Sequence, residues 1–273
     1  MSRISLKIVG ASGQGIISIG DILAKAFKRS GYCVFGYREY MSLIKGGHGS
    51  YQIDISDTQI RSTEELVDVL ITLNHHGFEK NLGDLKPGGL IIHDTANWHF
   101  SDADTALLKE RNVTVLFLPI EEILHRMKAK PILANVLFSA FTFAAMGGDQ
   151  EVLKNVVGEK FAKKPDLLAQ NMQCIEEGYA VQQKENCKPA AVLPKANKQW
   201  KDHLLLTGSQ AMGLGIVHAG CRLYAGYPMT PASPLLSYIA ENQNETGMAI
   251  KQAEDEITAV SYTHLTLPTI CSV

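Results

Sequence analysis

Four short stretches carry residue types that could do chemistry. Gly10-Ala11-Ser12-Gly13-Gln14-Gly15 follows the alternating apolar run Ile4 to Val9 and precedes apolar residues at helical spacing from Ile16 to Arg29. Glycines permit a sharp strand-to-helix turn and close approach of a ligand, and a helix start offers unpaired N–H groups to an anion. A phosphate-bearing ligand is one reading; a tight turn with nothing bound is the other. Lys45-Gly46-Gly47, just before SYQIDI, could add a cation to the same ligand or be a solvated loop lysine. In Tyr227-Pro228-Met229-Thr230-Pro231 the prolines stiffen a loop and the Thr230 hydroxyl sits at a fixed place, while Ser233 could cap the helix behind it. Glu254-Asp255-Glu256 sets carboxylates at a helix start, a pattern that serves acid–base work or simply complements the helix dipole.

Other chemistries find less support. The turn is spaced G-x-x-G-x-G, not as the dinucleotide fingerprint G-x-G-x-x-G, and no Lys-Ser/Thr follows it as in a P-loop. No acidic residue ends the second strand, YCVFG, to hold a ribose, so a nucleotide-dependent dehydrogenase is the weaker alternative. His75-His76 follows a strand end and reads as a surface-loop pair before a catalytic one, and His93-Asp94 at another strand end has no identifiable nucleophile beside it. Cysteines 33, 174, 187, 221 and 271 form no C-x-x-C pair, so neither a disulfide framework nor a zinc or iron–sulfur site is read from them. A reduced, cytoplasmic setting is expected. The 26 basic and 28 acidic residues give a net charge of −2 with the basic ones dispersed, which argues against a nucleic-acid partner. The N-terminus lacks a basic segment leading into an apolar core, so no secretory signal is expected. Pro131 to Met146, the most apolar stretch, falls short of the roughly 20 residues that span a bilayer and reads as a buried helix.

The elements that must position these stretches form two α/β blocks. In the first, strands are predicted at Ile4–Val9, Tyr32–Phe35, Tyr51–Ile55, Val67–Leu73, Gly89–His93 and Val113–Leu118, with the turn Lys86–Gly89 before the fifth. Helices are predicted at 16–29, 120–128, 131–146, 149–157 and 165–183. Strand–helix alternation predicts a mostly parallel, helix-covered sheet over residues 1–183. Residues 184–199, proline- and lysine-bearing with no apolar face, read as a linker. The second block, 200–260, is predicted as strand Leu204–Thr207, a small-residue helix at 208–220, strand Leu223–Gly226, a helix from Ser233, strand Met248–Ala253 and a helix from Glu254. The tail 261–273, SYTHLTLPTICSV, breaks the helical pattern and reads as non-native, as at the end of a truncated frame.

GASGQG and KGGHGS resemble the first turn and a later R-G-G of the γ subunit of 2-oxoacid:ferredoxin oxidoreductases, with Ser12 in place of a glycine and Lys45 in place of an arginine. The likeness spans about residues 4–183. Gly226-Tyr227-Pro228-Met229-Thr230-Pro231-Ala232-Ser233 resembles the Y-P-I-T-P-S/A-S loop of the pyrimidine-binding domain in the same enzymes. The chain is therefore similar to the front half of a fused γ–α type α subunit: a γ-type α/β domain followed by a partial thiamine-diphosphate pyrimidine-binding α/β domain.

The resemblance implies oxidative decarboxylation of a 2-oxoacid to an acyl-coenzyme A, with electrons leaving through iron–sulfur clusters to ferredoxin, in anaerobic metabolism. The fused order favours 2-oxoglutarate over pyruvate and branched-chain substrates. It implies that Gly10, Gly13, Gln14, Gly15, Lys45, Gly46 and Gly47 handle coenzyme A, and that Tyr227, Pro228 and Thr230 contact the 2-oxoacid. A carboxyl held against N1′ of the aminopyrimidine, with its pKa raised by burial, is assigned to Glu256, with Glu254 as the alternative. The diphosphate and magnesium site and the iron–sulfur cluster would belong to a partner β subunit, leaving this chain inert alone. A non-catalytic assembly or coenzyme A-binding γ module is the reading from a different class. Neither a nucleic-acid nor a membrane partner is expected.

Overall fold

The structure is a computed structural model that describes residues 3–40, 47–96, 98–162, 164–186 and 188–270, with the backbone alone at 40 and 265–270. It divides into two compact units, Met1–His203 and Leu204–Val273.

The first unit is built on β1 (Arg3–Ala11), β2 (Cys33–Tyr40), β3 (His48–Ser56), β4 (Val67–Thr72), β5 (Leu85–His93) and β6 (Thr114–Phe117), in the order β2-β3-β1-β4-β5-β6. β1, β4, β5 and β6 are mutually parallel, and β3 runs antiparallel to both β1 and β2. The sheet is thus mostly parallel, as the strand–helix alternation requires. Its helices are α1 (Ile16–Ser30), α2 (His75–Asn81), α3 (Asp102–Glu110), α4 (Ile120–Arg126), α5 (Ala134–Ala145), α6 (Gln150–Phe161) and α7 (Pro165–Glu185).

Side-chain alternation assigns the layers. Ile4, Leu6 and Ile8 of β1, with Val69, Ile71, Leu90 and Ile92, bury against Leu23 and Phe27 of α1, Phe141 and Phe143 of α5, and Ile175 of α7. Val9, Leu70 and Ile91 point to the opposite face, where Phe78 of α2 and Leu108 of α3 cover them. A sheet clothed on both faces explains why its strands read as near-continuous apolar runs. The apolar segment after Pro131 is a short 3-10 turn leading into α5, which is buried from Val136 to Ala145. No described helix is long and apolar enough to cross a membrane.

Several elements differ from expectation, each for a tertiary reason. β2 continues past Phe35 to Tyr40 because β3 supplies ladder partners along its whole length, and Gly36 leaves room for the Tyr51 ring, 2.9 Å from where a Cβ would stand. Lys86–Gly89 is not a turn before β5 but a bulge within it. Leu85 pairs with Val67 and Leu90 with Val69, and Gly88 at φ 73 donates its N–H to the Arg111 carbonyl. α3 is absent from the sequence reading, although Ser101 and Asp104 form a capping box at its start. The stretch read as a linker lies along the first unit. Ala190 N–H donates to the Gly88 carbonyl, Asn197 N–H to that of Gly31, and the Trp200 indole to that of Asp57 at 2.8 Å.

The second unit holds α8 (Gly208–His218), β7 (Leu223–Gly226), α9 (Ser233–Glu241), α10 (Gln243–Thr246), β8 (Ala249–Gln252) and α11 (Glu256–Ile270). β7 and β8 form a two-stranded parallel sheet. Gly213 of α8 seats the Tyr238 ring of α9, which a Cβ would meet at 2.5 Å, so this small-residue helix does pack closely. Leu204–Thr207 is not a strand; Thr207 instead caps α8 in a capping box with Gln210. Ser233 is the first residue of α9 and not its cap, because Ala232 already has helical dihedrals and the chain turns at Met229. α11 runs to Ile270, through the stretch expected to break the pattern.

Candidate functional site

β1, β4 and β5 end at one edge of the sheet, and β3, running the other way, begins there. Ala11 faces His48 across the β1–β3 pair, and Ser12 N–H donates to the Gly47 carbonyl. The glycine turn, Gly47-His48, Asn74-His75-His76 and His93-Asp94 are therefore gathered outside the carboxyl ends of parallel strands, where open α/β sheets bind ligands. Lys45 and Gly46 lie outside the described residues.

The three glycines of the turn serve different ends. Gly13 and Gly15 adopt φ 90 and 94, a region that side chains with a Cβ disfavour. A Cβ on Gly15 would also run into the Asn135 amide at the start of α5, whereas one on Gly13 would meet none of the described residues within 4 Å. Gly10 is needed for space: a Cβ there would stand 2.9 Å from Gln14 Oε1 and 3.0 Å from Leu73 Cβ. Gln14 folds back over it, its Oε1 accepting from Ala11 N–H at 2.6 Å and Asn74 Nδ2 at 2.7 Å, and its Nε2 donating to the Leu73 carbonyl at 3.1 Å. The α1 start has no side-chain cap and no acidic residue in its first turn, and the α5 start shares both features. Positive dipole ends free of competing carboxylates suit an anion.

The histidines at this edge were only partly legible. His75 and His76 open α2 with mostly exposed rings near Glu79. His48 Nε2 lies 3.1 Å from Asn81 Nδ2, which also donates to the Gly77 carbonyl, so His48 Nε2 accepts and Nδ1 carries the proton. That Nδ1 is buried without a partner among the described residues, and burial above all, then the nearby Lys80, His76 and Lys7, holds the imidazole below its ordinary pKa. His93 is 5% exposed, packs edge-on against Trp98 at 4.6 Å between centroids, and burial holds its imidazole below the ordinary pKa as well. The Asp94 carboxyl is pushed up to about 6, mainly by burial and further by Glu121. Asn74 and Asn135 were missed altogether. An asparagine ahead of a helix is an N-cap signal, and Asn74 does accept Gly77 N–H at 2.7 Å, but Asn135 reaches Gly15 only through the packing of α5 on α1.

In the second unit the register Leu223↔Ala249 through Gly226↔Gln252 brings the loop after β7 and the acidic residues after β8 to one sheet edge. Ala253 N–H donates to the Gly226 carbonyl at 2.9 Å, fastening the two exits side by side. Thr230 and Pro228 are exposed and Tyr227 is half-buried. The three acids divide their tasks. Asp255 caps α11, accepting Thr258 N–H at 2.6 Å, and Glu254 pairs with Lys251 at 3.2 Å. Backbone N–H donation and Lys251 together hold Glu254 below the usual carboxylate range. The Glu256 side chain is exposed on the first turn of α11, where a buried carboxyl was expected, and it has no hydrogen-bond or ion-pair partner among the described residues. Among those residues no cluster of three His, Cys, Asp or Glu could hold a metal ion.

The first unit thus carries a glycine turn ahead of a helix start without acidic residues, and the second a parallel strand pair with a hydroxyl loop and a carboxylate that has no partner among the described residues. Residues 5–181 match the family described as pyruvate ferredoxin/flavodoxin oxidoreductase, and residues 214–265 match the one described as pyruvate flavodoxin/ferredoxin oxidoreductase, thiamine diP-binding. The first match alone takes in more than half of the chain, and the chain belongs to this family.

The α subunit of a 2-oxoacid:ferredoxin oxidoreductase from Sulfolobus sp is 27% identical over 95% of this chain and 47% of its own length. A solved 2-oxoglutarate:ferredoxin oxidoreductase from Magnetococcus marinus, with 2-oxoglutarate, coenzyme A and succinyl-CoA bound, superimposes with a TM-score of 0.83 at 26% identity. That superposition covers 96% of this chain and 45% of the solved one. The γ subunit of a keto/oxoacid ferredoxin oxidoreductase from Geobacter sulfurreducens, 22% identical with a TM-score of 0.51, shares the fold over 65% of this chain and 96% of its own. The chain spans about half the length of the curated relatives it matches.

Proposed function

We propose that this chain forms the γ-type domain and part of the thiamine half-site of a 2-oxoacid:ferredoxin oxidoreductase α subunit, with 2-oxoglutarate as substrate. One observation carries the reading. The parallel pairing of β7 with β8 sets the Thr230 loop and Glu256 at a single edge, inside the segment that matches the thiamine-binding family. The residues fit the cofactor: an exposed carboxylate with no partner among the described residues can take a ring N–H, and a hydroxyl loop stands beside it.

Thiamine diphosphate, when bound, supplies the nucleophilic carbon and electron sink for decarboxylation. Glu256 holds a proton between its carboxyl and the pyrimidine nitrogen N1′, while Thr230 and Tyr227 orient the 2-oxoacid. Asp255 is spent on the helix cap, and Glu254 is spent on Lys251. A partner β subunit grips the diphosphate and magnesium and carries the iron–sulfur cluster that passes electrons to ferredoxin. The N–H groups at the start of α1 would hold a phosphate of coenzyme A, and Lys45 would supply a cation to it. The bound ligands of the Magnetococcus marinus neighbour support both the substrate and the acyl acceptor.

The test is co-purification with the β subunit and assay of 2-oxoglutarate- and coenzyme A-dependent reduction of a viologen dye. Turnover in the complex, absent from either chain alone, is expected. A complex inert toward every 2-oxoacid, or NAD binding by the chain alone, would overturn the reading. The dehydrogenase alternative is also opposed by topology, because an antiparallel β3 separates β1 from β2 where a dinucleotide fold pairs these strands in parallel.

A second reading has its own observation. Among its described apolar residues the second unit buries Leu236, Ile239, Met248 and Ala253 and no others, which favours the first unit alone, acting as a non-catalytic coenzyme A-binding or assembly module. Coenzyme A binding without turnover in any complex would favour it.

A further inference from the structure

We infer that Gln14 and Asn74 are positioning residues that latch the glycine turn onto the end of β4, and that Gln14 does not touch the ligand; the inference rests on the proposed coenzyme A reading of this turn. Every polar atom of the Gln14 amide is engaged. Oε1 receives both Ala11 N–H and Asn74 Nδ2, and Nε2 reaches the Leu73 carbonyl. Ala11 and Gln14 grip each other twice, since Gln14 N–H also donates to the Ala11 carbonyl at 3.2 Å. The amide orientations follow from the partners: Asn74 Oδ1 takes Gly77 N–H, so its Nδ2 must face Gln14, whose oxygen must then face Asn74.

Two glycines make space for the latch. Gly10 lies under Gln14 Oε1, and a Cβ on Gly77 would stand 3.2 Å from Asn74 Oδ1 and 3.0 Å from Val9 Cγ2. The same two amides therefore tie the turn before α1 to the first turn of α2. With Ser12 N–H on the Gly47 carbonyl and Gln14 N–H on the Ala11 carbonyl, the N–H groups of Gly13, Gly15 and Ile16 and the Asn135 amide beside Gly15 are left to read the ligand. Gln14 acts through the turn it holds shut.

The substitutions that separate latch from contact follow from the bond list. Gln14→Met keeps the volume and loses all three side-chain bonds. Asn74→Asp keeps the α2 cap through one oxygen but turns a second oxygen toward Gln14 Oε1, breaking the latch alone. Amide hydrogen exchange over residues 11–17 is measured on the ligand-free 273-residue chain, and coenzyme A itself is titrated in parallel.

Both variants are expected to raise exchange at Ala11 and through the turn by tenfold or more, with exchange in α5 and α7 unchanged. Coenzyme A binding is expected to weaken by a similar factor. Asn74→Asp in the Gln14→Met background should add little, because one latch cannot be broken twice. Unchanged exchange in the ligand-free variants with weakened coenzyme A binding would make Gln14 a ligand contact and overturn the inference. Unchanged exchange and unchanged binding would also overturn it. Faster exchange in a chain that never binds coenzyme A, even unsubstituted, upholds the latch and sinks the coenzyme A reading instead.

Discussion

Asp255 Oδ1 accepts the Thr258 N–H at 2.6 Å, so the middle acid of Glu254-Asp255-Glu256 is committed to starting α11. With Glu254 drawn to Lys251, one carboxylate of the three is left without a partner among the described residues.

The first prediction separates these acids. In the complex with the β subunit, Glu256→Gln should lower kcat by about 10²-fold or more, the lower range for removing a positioned acid–base group. Glu254→Gln should stay within a few-fold of the unsubstituted enzyme. Asp255→Ala should lower stability through the lost cap, with its effect on kcat following the loss of folded unit. Steady-state kinetics beside thermal melting of the three variants checks the division. Equal losses for the two glutamates would remove the assignment.

The glycine turn offers a second prediction. Gly13→Ala carries only left-handed strain, about 1–2 kcal/mol, because its surroundings are open. Gly15→Ala carries the same strain and a collision with Asn135, which adds about 1–3 kcal/mol of overpacking. Asn135→Ala should recover the collision part in the Gly15→Ala background and nothing in the Gly13→Ala background. Urea unfolding of the five variants completes the double-mutant cycles.

Which parts of this arrangement the sequence disclosed follows from the range of the forces involved. The strands, α1, the buried helix after Pro131 and both signature loops are local patterns, set by periodicity and by glycine or proline at turns. The second half of β2 is not local: GYREY becomes strand because β3 pairs with it, Asp21 takes Arg38 at 2.5 Å, and the Arg38 guanidinium lies over the Tyr51 ring. The bulge at Lys86–Gly89 mimics a turn signal, since a glycine at positive φ serves either. α3 was announced by Ser101 and Asp104 and could have been found. Asn135 beside Gly15 could not, because nothing in its neighbourhood encodes the helix packing that brings it there. The roles of the three acids were open in the sequence because a cap, an ion pair and a free carboxylate look alike until their partners are placed.

Packing under β3 yields a third prediction. Gly20 on α1 faces the Tyr51 ring so closely that a Cβ would collide with it, and Tyr51 cannot retreat because its hydroxyl lies 3.4 Å from both Asp21 and Arg38. Gly20→Ala should therefore destabilise the first unit by about 1–3 kcal/mol, although alanine is the better helix former. Tyr51→Leu should relieve the collision while losing the hydroxyl contacts. A Gly20→Ala chain as stable as the original would show that the ring can move aside.

Asp94 gives a pH dependence with a definite sign. The folded carboxyl keeps its proton to about pH 6, mainly through burial, whereas the unfolded one releases it near 3.8. The folded state therefore binds more protons in this window, and stability falls as pH rises through it. Asp94→Asn should abolish that fall and leave the chain more stable at pH 7 by on the order of 1 kcal/mol, solvent access having reduced the full linkage value. Chemical denaturation at intervals from pH 4 to 7 measures both slopes. A parallel decline in the two proteins would place the titration elsewhere.

The last prediction concerns the two units and the path of the chain between them. Residues 188–203 lie against the first unit: the Tyr32 hydroxyl donates to the Pro194 carbonyl at 2.9 Å, and Asn197 N–H and the Trp200 indole reach Gly31 and Asp57. Leu204, beyond the last of these bonds, is 78% exposed. The second unit rests on a two-stranded sheet with few buried side chains among its described residues, and two strands alone are marginal in water. Limited proteolysis should therefore cut first after about residue 203 and leave a resistant fragment that retains Trp200, with tryptophan emission unchanged. Trp200→Ala should move the first cut back toward the end of α7, because the indole bond and the packing that hold the segment would be gone. A first cut before residue 190 in the unsubstituted chain would mean that these bonds do not secure the segment in solution.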